Sequence, residues 1–502
     1  MVMIEYHKLV GIRKRNPAGL NWKSEGFIVP FEGKGQHNLS QGKGPYFVNA
    51  TKEWRIWGLL MLLTPIKIRT LQRKLYCKAK QEPSFRFYSL YDKIYRDDIL
   101  NHAWKRVRAN RGSAGIDGIT FKDIEEKEGR DAFLLNLQEA LKQKNYRPKP
   151  VRRVMIPKPD GSLRPLGIPT IRDRVAQMAV KIIIEPIFEA DFCDSSYGFR
   201  PKRSAHDAVD DITLTLRRGY TKVIDADLSK YFDTIPHSKL MAVVAERIND
   251  KAILNVIKQW LKAPVVETDS NGRRKYTGGK NNRKGTPQGG VISPLLANLY
   301  LHILDRIWER RQLQRKYGAH LIRYADDCLV LCKRGTENPM IMLEYVFGRL
   351  GLSVNESKTH IANAYQSSFD FLGFEFRMRK SLKTGRYYPH TQPSRKSVTK
   401  IKNRITHLTK RNLTPIPLED VIKNVNLSLR GWVNYFHYGN STHTFGNVKF
   451  HVEERVRTHL RKRHKVRDRA EGYNRFTTAR LYNDYSLFKV PTRAKWMKAN
   501  AL

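Results

Sequence analysis

A chain of 502 residues is longer than one hydrophobic core usually serves, so more than one domain is expected. Its 93 Lys and Arg against 47 Asp and Glu leave a formal net charge of +46, more than solubility asks for, and imply a polyanionic partner. The longest apolar run, Trp57 to Leu63, is far short of the ~20 residues needed to cross a bilayer, the N-terminus lacks the apolar segment of a secretory signal, and four scattered cysteines spell neither a zinc module nor a disulfide framework. A soluble, intracellular protein without a membrane partner is expected.

Taken from the N-terminus, residues 1–66 form an extension whose stretch Gly33 to Gly44 (GKGQHNLSQGKG) is too polar to bury surface and is expected to be a flexible loop. Lys67 to Gln81 then places Ile68, Leu71, Leu75 and Ala79 near helical spacing, with basic residues on the other faces. From about Phe85 to Arg377 helical patterns alternate with short β-branched runs, the composition of a mixed α/β region. Within it, MIPKPDGSLRPLGIP (Met155 to Pro169) predicts a hairpin with Asp160 and Gly161 in the turn, presenting Lys158 and Arg164 as candidates for phosphate. KVIDADLSKYFDTIPH (Lys222 to His237) predicts a strand with Asp225 and Asp227 on one face, ahead of Tyr231 and Phe232. KGTPQGGVISPLLANLYL (Lys284 to Leu301) offers glycines for close backbone approach before an apolar helix. Beyond Tyr388 the chain turns helical and basic; from Arg377 to Leu502 there are 29 basic and 7 acidic residues.

The segment HLIRYADDCLVLC sets Asp326 and Asp327 near the tip of two short apolar strands. Alone, Ala-Asp-Asp is ordinary turn chemistry. Two adjacent anions in a half-buried setting are costly unless a cation neutralises them, and oxygen ligands suit Mg²⁺. With the acidic strand near residue 225, carboxylates from separate strands become available for two metals ~3.5–4 Å apart. Cys328 and Cys332 are expected to pack as small apolar residues.

Together and in this order, these segments resemble the reverse transcriptase and maturase proteins encoded by bacterial and organellar group II introns, over about Phe85 to Arg469. YADD resembles the family's polymerase hairpin and DADLSKYFD its first metal-binding strand, which assigns two Mg²⁺ ions to Asp227, Asp326 and Asp327 and leaves Asp225 and Asp233 structural. The resemblance places Phe232 as the gate at the sugar 2′ position, Gln288 of GTPQGG at the incoming nucleotide, and Lys158 and Arg164 on its triphosphate. It places Arg200 and Arg203 on the template, with His206 a core or capping residue, and Lys358 and Gly373 on the template and primer. GSAGIDGIT matches the N-terminal extension of these enzymes, and RGWVNYFHYGN (Arg430 to Asn440) the maturase or thumb module, whose Trp432, Tyr435, Phe436 and Tyr438 are expected in helix core.

What the resemblance implies is an α+β right-hand polymerase. Fingers and palm occupy 67–377, a helical thumb or maturase (X) domain 378–456, and a basic nucleic-acid-binding segment 457–502 carries Arg461, Lys462, Arg463, Lys465 and Arg467. The implied activity is RNA-directed DNA synthesis from dNTPs, with group II intron RNA bound to assist splicing, and target DNA and primer used in intron mobility. The expected location is bacterial cytoplasm near the nucleoid, with an organellar origin and a dimer both left open. No Cys- and His-rich HNH endonuclease pattern follows the basic run, so second-strand cleavage is not expected of this chain. The alternatives are a host-adopted relative in DNA repair or defence and a catalytically silent RNA-binding maturase.

Overall fold

The computed structural model describes residues 64–157, 161, 163–268 and 273–493. The Gly33 to Gly44 stretch, nearly all of the N-terminal extension, and Lys158 lie outside the described residues. Eleven strands occur among the described residues: β1 (Val151–Pro157), β2 (Leu163–Ile168), β3 (Lys222–Ala226), β4 (Pro264–Thr268), β5 (Arg274–Gly278), β6 (Ala319–Tyr324), β7 (Asp327–Cys332), β8 (His360–Asn363), β9 (Phe369–Phe371), β10 (Phe374–Lys380) and β11 (Tyr387–Pro393). The described residues divide into two compact units, one of those from 64 to 192 with 232–303, the other of those in 193–231 with 304–493. No helix among the described residues is long and apolar enough to cross a membrane.

The first unit is built on α1 (Ile66–Gln81) and α2 (Asp97–Ala109), both packed on the long helix α3 (Ile171–Glu189). Helix α1 buries Ile68, Leu75 and Ala79 and exposes Lys67, Arg69, Arg73 and Lys74, as its amphipathic spacing requires. Helix α3 is buried nearly all round, Asp173, Arg174 and Gln177 included, and starts at Thr170, whose hydroxyl accepts from the Asp173 amide. The buried Asp173 carboxylate also accepts from the Tyr146 hydroxyl at 2.6 Å, so the helix start is fixed to the preceding loop. Gly115 of GSAGIDGIT lies so close to Thr170 that a Cβ would come within 2.7 Å of the Thr170 Cα. This unit's sheet has the order β2-β1-β4-β5, with β1 and β4 parallel and the other pairs antiparallel. Pro157 opposite Leu163 closes the predicted β1–β2 hairpin, with Gly161 at φ +80° in its turn.

In the second unit a wholly antiparallel sheet, β6-β7-β3-β8, carries the acidic segments. A smaller sheet, β11-β10-β9, leads to α4 (Arg395–Leu408), α5 (Leu418–Phe436) and α6 (Thr442–Arg463). One apolar cluster runs from Val223, Leu329 and Leu331 through Phe374 and Phe376 to Leu429, Phe445, Phe476, Leu481 and Val490. The breaks drawn in the sequence at 377/378 and 456/457 therefore do not coincide with breaks in packing. Composition shifts towards basic residues there, but the apolar positions continue one core. Phe436 is buried in that cluster, with Trp432, Tyr435 and Tyr438 packed against it, as expected of helix core. His206 takes the structural role, its Nε2 2.7 Å from the Tyr435 carbonyl.

Candidate active site

In the second unit, β6 and β7 form a two-residue hairpin in which Tyr324 opposes Asp327, leaving Ala325 and Asp326 as the turn. Ala325 has φ +59°, a left-handed conformation that an alanine adopts only when its surroundings demand it. Two neighbours supply the demand. Gly198 lies against the turn so tightly that a Cβ there would collide with the Ala325 amide, and it belongs to a segment hydrogen-bonded to β6 through Tyr197 N to Arg323 O at 2.8 Å. Arg323, wholly buried, grips Asp305 with two N–H···O bonds of 2.8 and 2.5 Å and also donates to the Ala325 carbonyl at 2.9 Å and to the Ser196 hydroxyl at 2.7 Å. A bidentate pair of this kind is directional, so it orients the turn as well as satisfying the buried charge. Arg323 and Asp305 carried no assignment from sequence. The available signal was a charge in an apolar strand and another on the apolar face of LYLHILDRIW.

The carboxylates meet from β3 and this turn. Asp225 is paired with Leu329 of β7 on one side and His360 of β8 on the other. The strand ends at Ala226, so Asp227 stands at its exit rather than within it, where the Asp227 carbonyl accepts from the Asn355 amide at 2.8 Å. The Asn355 side chain donates to Asp227 Oδ2 at 3.2 Å, and Lys358 Nζ lies 3.9 Å from the same oxygen. Asp327 keeps solvent access, yet desolvation by the surrounding protein, then the charges of Asp326, Asp225 and Asp227, push its carboxyl up to about 7. Burial and then Asp227 and Asp370 push Asp225 up to about 6. Asp225 is therefore electrostatically part of the acidic group. Among the described residues no three acidic, His or Cys side chains already converge into a coordination shell. The donor set still fits a hard divalent cation, because every ligand is a carboxylate oxygen and a cation would relieve the repulsion that raises Asp327.

The first unit holds the other predicted group. Arg164 of β2 donates through Nε to Gln288 Oε1 at 2.9 Å, so two residues assigned to the incoming nucleotide are already in contact. The GTPQGG turn lies backbone to backbone on β2, with Gly167 N donating to Gln288 O at 2.5 Å. Gly289, at φ +110°, leaves no room for a Cβ against the Gly167 carbonyl. Phe232 is buried, and its carbonyl accepts from Thr286 N at 2.7 Å, tying the aromatic to the same turn.

Three further assignments fall on residues that have partners within the protein. Arg200 is 8 % exposed and donates to the carbonyls of Cys193 and Ser196 at 2.6 and 2.7 Å, which organises the loop beside the YADD turn. Gly373, at φ +79°, lies close to Ser397 of α4 and Phe436 of α5. In the basic run, Arg463 donates to the carbonyls of Thr414 and Ile416 and Arg461 to that of Arg467, both acting as internal braces. Lys462, Lys465 and Arg467 remain exposed, and Arg203 stacks 5.3 Å from the Tyr197 ring while pairing with Asp194. Cys328 and Cys332 are buried free thiols, as expected.

A family model described as Reverse transcriptase (RNA-dependent DNA polymerase) matches residues 156–376, and one described as Group II intron, maturase-specific domain matches residues 398–476. Protein YkfC of Escherichia coli (strain K12) is 34% identical over 352 residues, covering 62% of this chain and 89% of that protein. Group II intron-encoded protein LtrA of Lactococcus lactis subsp. cremoris is 30% identical over 362 residues, covering 59% of this chain and 57% of LtrA. An uncharacterized 91 kDa protein in the cob intron of Schizosaccharomyces pombe is 25% identical over 441 residues, 72% of this chain and 52% of that one. The chain thus spans most of the first relative and just over half the length of the other two. With a buried latch on the YADD turn, carboxylates crowded around it and both domain matches in sequence order, the chain belongs to the family of group II intron-encoded reverse transcriptases and maturases.

Proposed function

We propose that this chain copies RNA into DNA and binds group II intron RNA to assist its splicing and mobility. The observation that carries the catalytic half is the crowding of Asp225, Asp227 and Asp326 around Asp327, on a turn braced by buried hydrogen bonds. The reaction is in-line attack of a primer 3′-hydroxyl on the α-phosphate of a dNTP, with pyrophosphate leaving. Two Mg²⁺ ions held by Asp227, Asp326 and Asp327 would, when bound, lower the pKa of that hydroxyl and stabilise the leaving oxygens. Asn355 holds the Asp227 carboxylate in place before any cation arrives. Arg164 offsets charge on the triphosphate, joined by Lys158, and its bond to Gln288 orients the amide that meets the incoming nucleotide. The Phe232 ring excludes a ribose 2′-hydroxyl. Exposed Lys462, Lys465 and Arg467 and the basic face of α1 contact RNA phosphates, a mode suited to A-form RNA with its hidden base edges.

The test is primer extension on an RNA template with Mg²⁺ and dNTPs, comparing the wild type with Asp326→Asn. Extension by the wild type and its loss in a folded variant is the expected result. A well-folded wild type without extension would reject the polymerase reading, and an active Asp326→Asn would reject the metal assignment.

A further inference from the structure

Within the first unit, a cavity of about 850 Å³ opens between α7 (His237–Arg247) and α8 (Lys251–Leu261), lined by none of the residues assigned above to metal, nucleotide or template. Its floor is apolar, from Met241, Ala242 and Leu254, and its rim is cationic, from Lys258, Lys262 and Arg283; no acidic residue lines it among the described residues. An apolar floor inside a cationic rim matches one ligand shape in particular, a flat base with phosphates on either side. Duplexes do not present that shape, because their bases are stacked and paired. Single-stranded RNA does, since its unstacked bases can be splayed into a pocket.

His237 fixes one wall of the cavity. It lines the cavity, is 7 % exposed, and its Nε2 lies 2.7 Å from the Gly285 carbonyl, so that nitrogen must carry the hydrogen. Burial holds the ring below its ordinary pKa, hence neutral, and leaves Nδ1 as a lone-pair acceptor.

We infer that this cavity is a subsite for one unstacked nucleotide of an RNA strand, with the base over Met241, Ala242 and Leu254 and the flanking phosphates at Lys258, Lys262 and Arg283. The inference rests on the proposed reading that RNA is this chain's partner. A labelled short single-stranded RNA, the same sequence as single-stranded DNA and as an RNA duplex are titrated against the full chain across a range of salt. Ala242→Trp, which fills the cavity without changing charge, should weaken single-stranded RNA about tenfold, the order expected when one base loses its burial against an apolar floor, leaving the duplex and the salt slope unchanged. Lys258→Glu with Lys262→Glu should instead reduce the salt slope by roughly one to two. Should Ala242→Trp fail to fold, Ala242→Leu fills the same floor without changing charge and carries the same expectation. Wild-type affinity in the filled variant, or equal weakening of duplex, overturns the subsite; equal weakening of single-stranded DNA overturns its assignment to RNA. Primer extension run in parallel separates the two readings, because an active wild type with an indifferent Ala242→Trp rejects the cavity alone, whereas a wild type that neither binds nor extends rejects the function with it.

Discussion

Arg323 illustrates how a single side chain links the core to chemistry. Buried without its partner, Asp305 would be an uncompensated charge, so Arg323→Met alone should destabilise by about 3–5 kcal/mol. The pair Arg323→Met with Asp305→Leu removes both charges and should recover most of that loss, since such replacements are often neutral or stabilising. It does not restore the donors to Ala325 and Ser196, so the double variant should fold by urea titration yet extend primers more slowly and need more Mg²⁺. Full activity at wild-type Mg²⁺ in the double variant would reduce Arg323 to a folding residue. At Phe232 the expectation concerns selectivity. Phe232→Val should raise kcat/KM for rNTPs relative to dNTPs by on the order of tenfold or more, measured by single-nucleotide incorporation, because a steric gate discriminates by excluding one hydroxyl.

Among the elements, the β10–β11 ladder carries a pH dependence of its own. His390 on β11 lies opposite Arg377 on β10, and burial, then Arg379 and Arg377, hold its pKa down from 6.5 to about 4. Between those values the unfolded chain takes up a proton that the folded one does not. The stability associated with His390 is thus complete above pH 6.5 and is lost as the pH falls towards 4, by at most about 3 kcal/mol. Urea unfolding at pH 7.5 and 5 should show this loss in the wild type and a smaller one in His390→Gln; equal slopes in both would exclude it. The β6–β7 hairpin was legible from its alternation of apolar residues and its Asp pair. Its sharpness was not, because Ala325 sits at positive φ only by virtue of Gly198 and Arg323, residues far from it in sequence or outside the turn motif.

For the molecule as a whole, the shared apolar core of the second unit changes what its basic C-terminal region can tolerate. Truncation at 457 would remove Val466, Phe476, Leu481, Leu487 and Val490 from that core, and the remaining protein should unfold cooperatively at lower urea, not merely lose RNA affinity. Lys462→Glu with Lys465→Glu keeps the core and should lower RNA affinity and the salt slope at unchanged stability; a truncated chain as stable as the intact one would contradict the shared core. Sequence by itself determined the charge that calls for a polyanion, the order of the polymerase and maturase motifs, and the acidic positions 227, 326 and 327, because charge, spacing and residue type are local properties. Tertiary structure alone decided that Arg200 donates to the carbonyls of Cys193 and Ser196 and Gly373 lies against Ser397 and Phe436, that Asp225 joins the acidic group, that Asn355 and Arg323 hold Asp227 and the YADD turn, and that one apolar core runs across 377 and 456. Each of these depends on which distant residues become neighbours, and burial, hydrogen-bond partnership and electrostatic crowding exist only once those neighbours are in place.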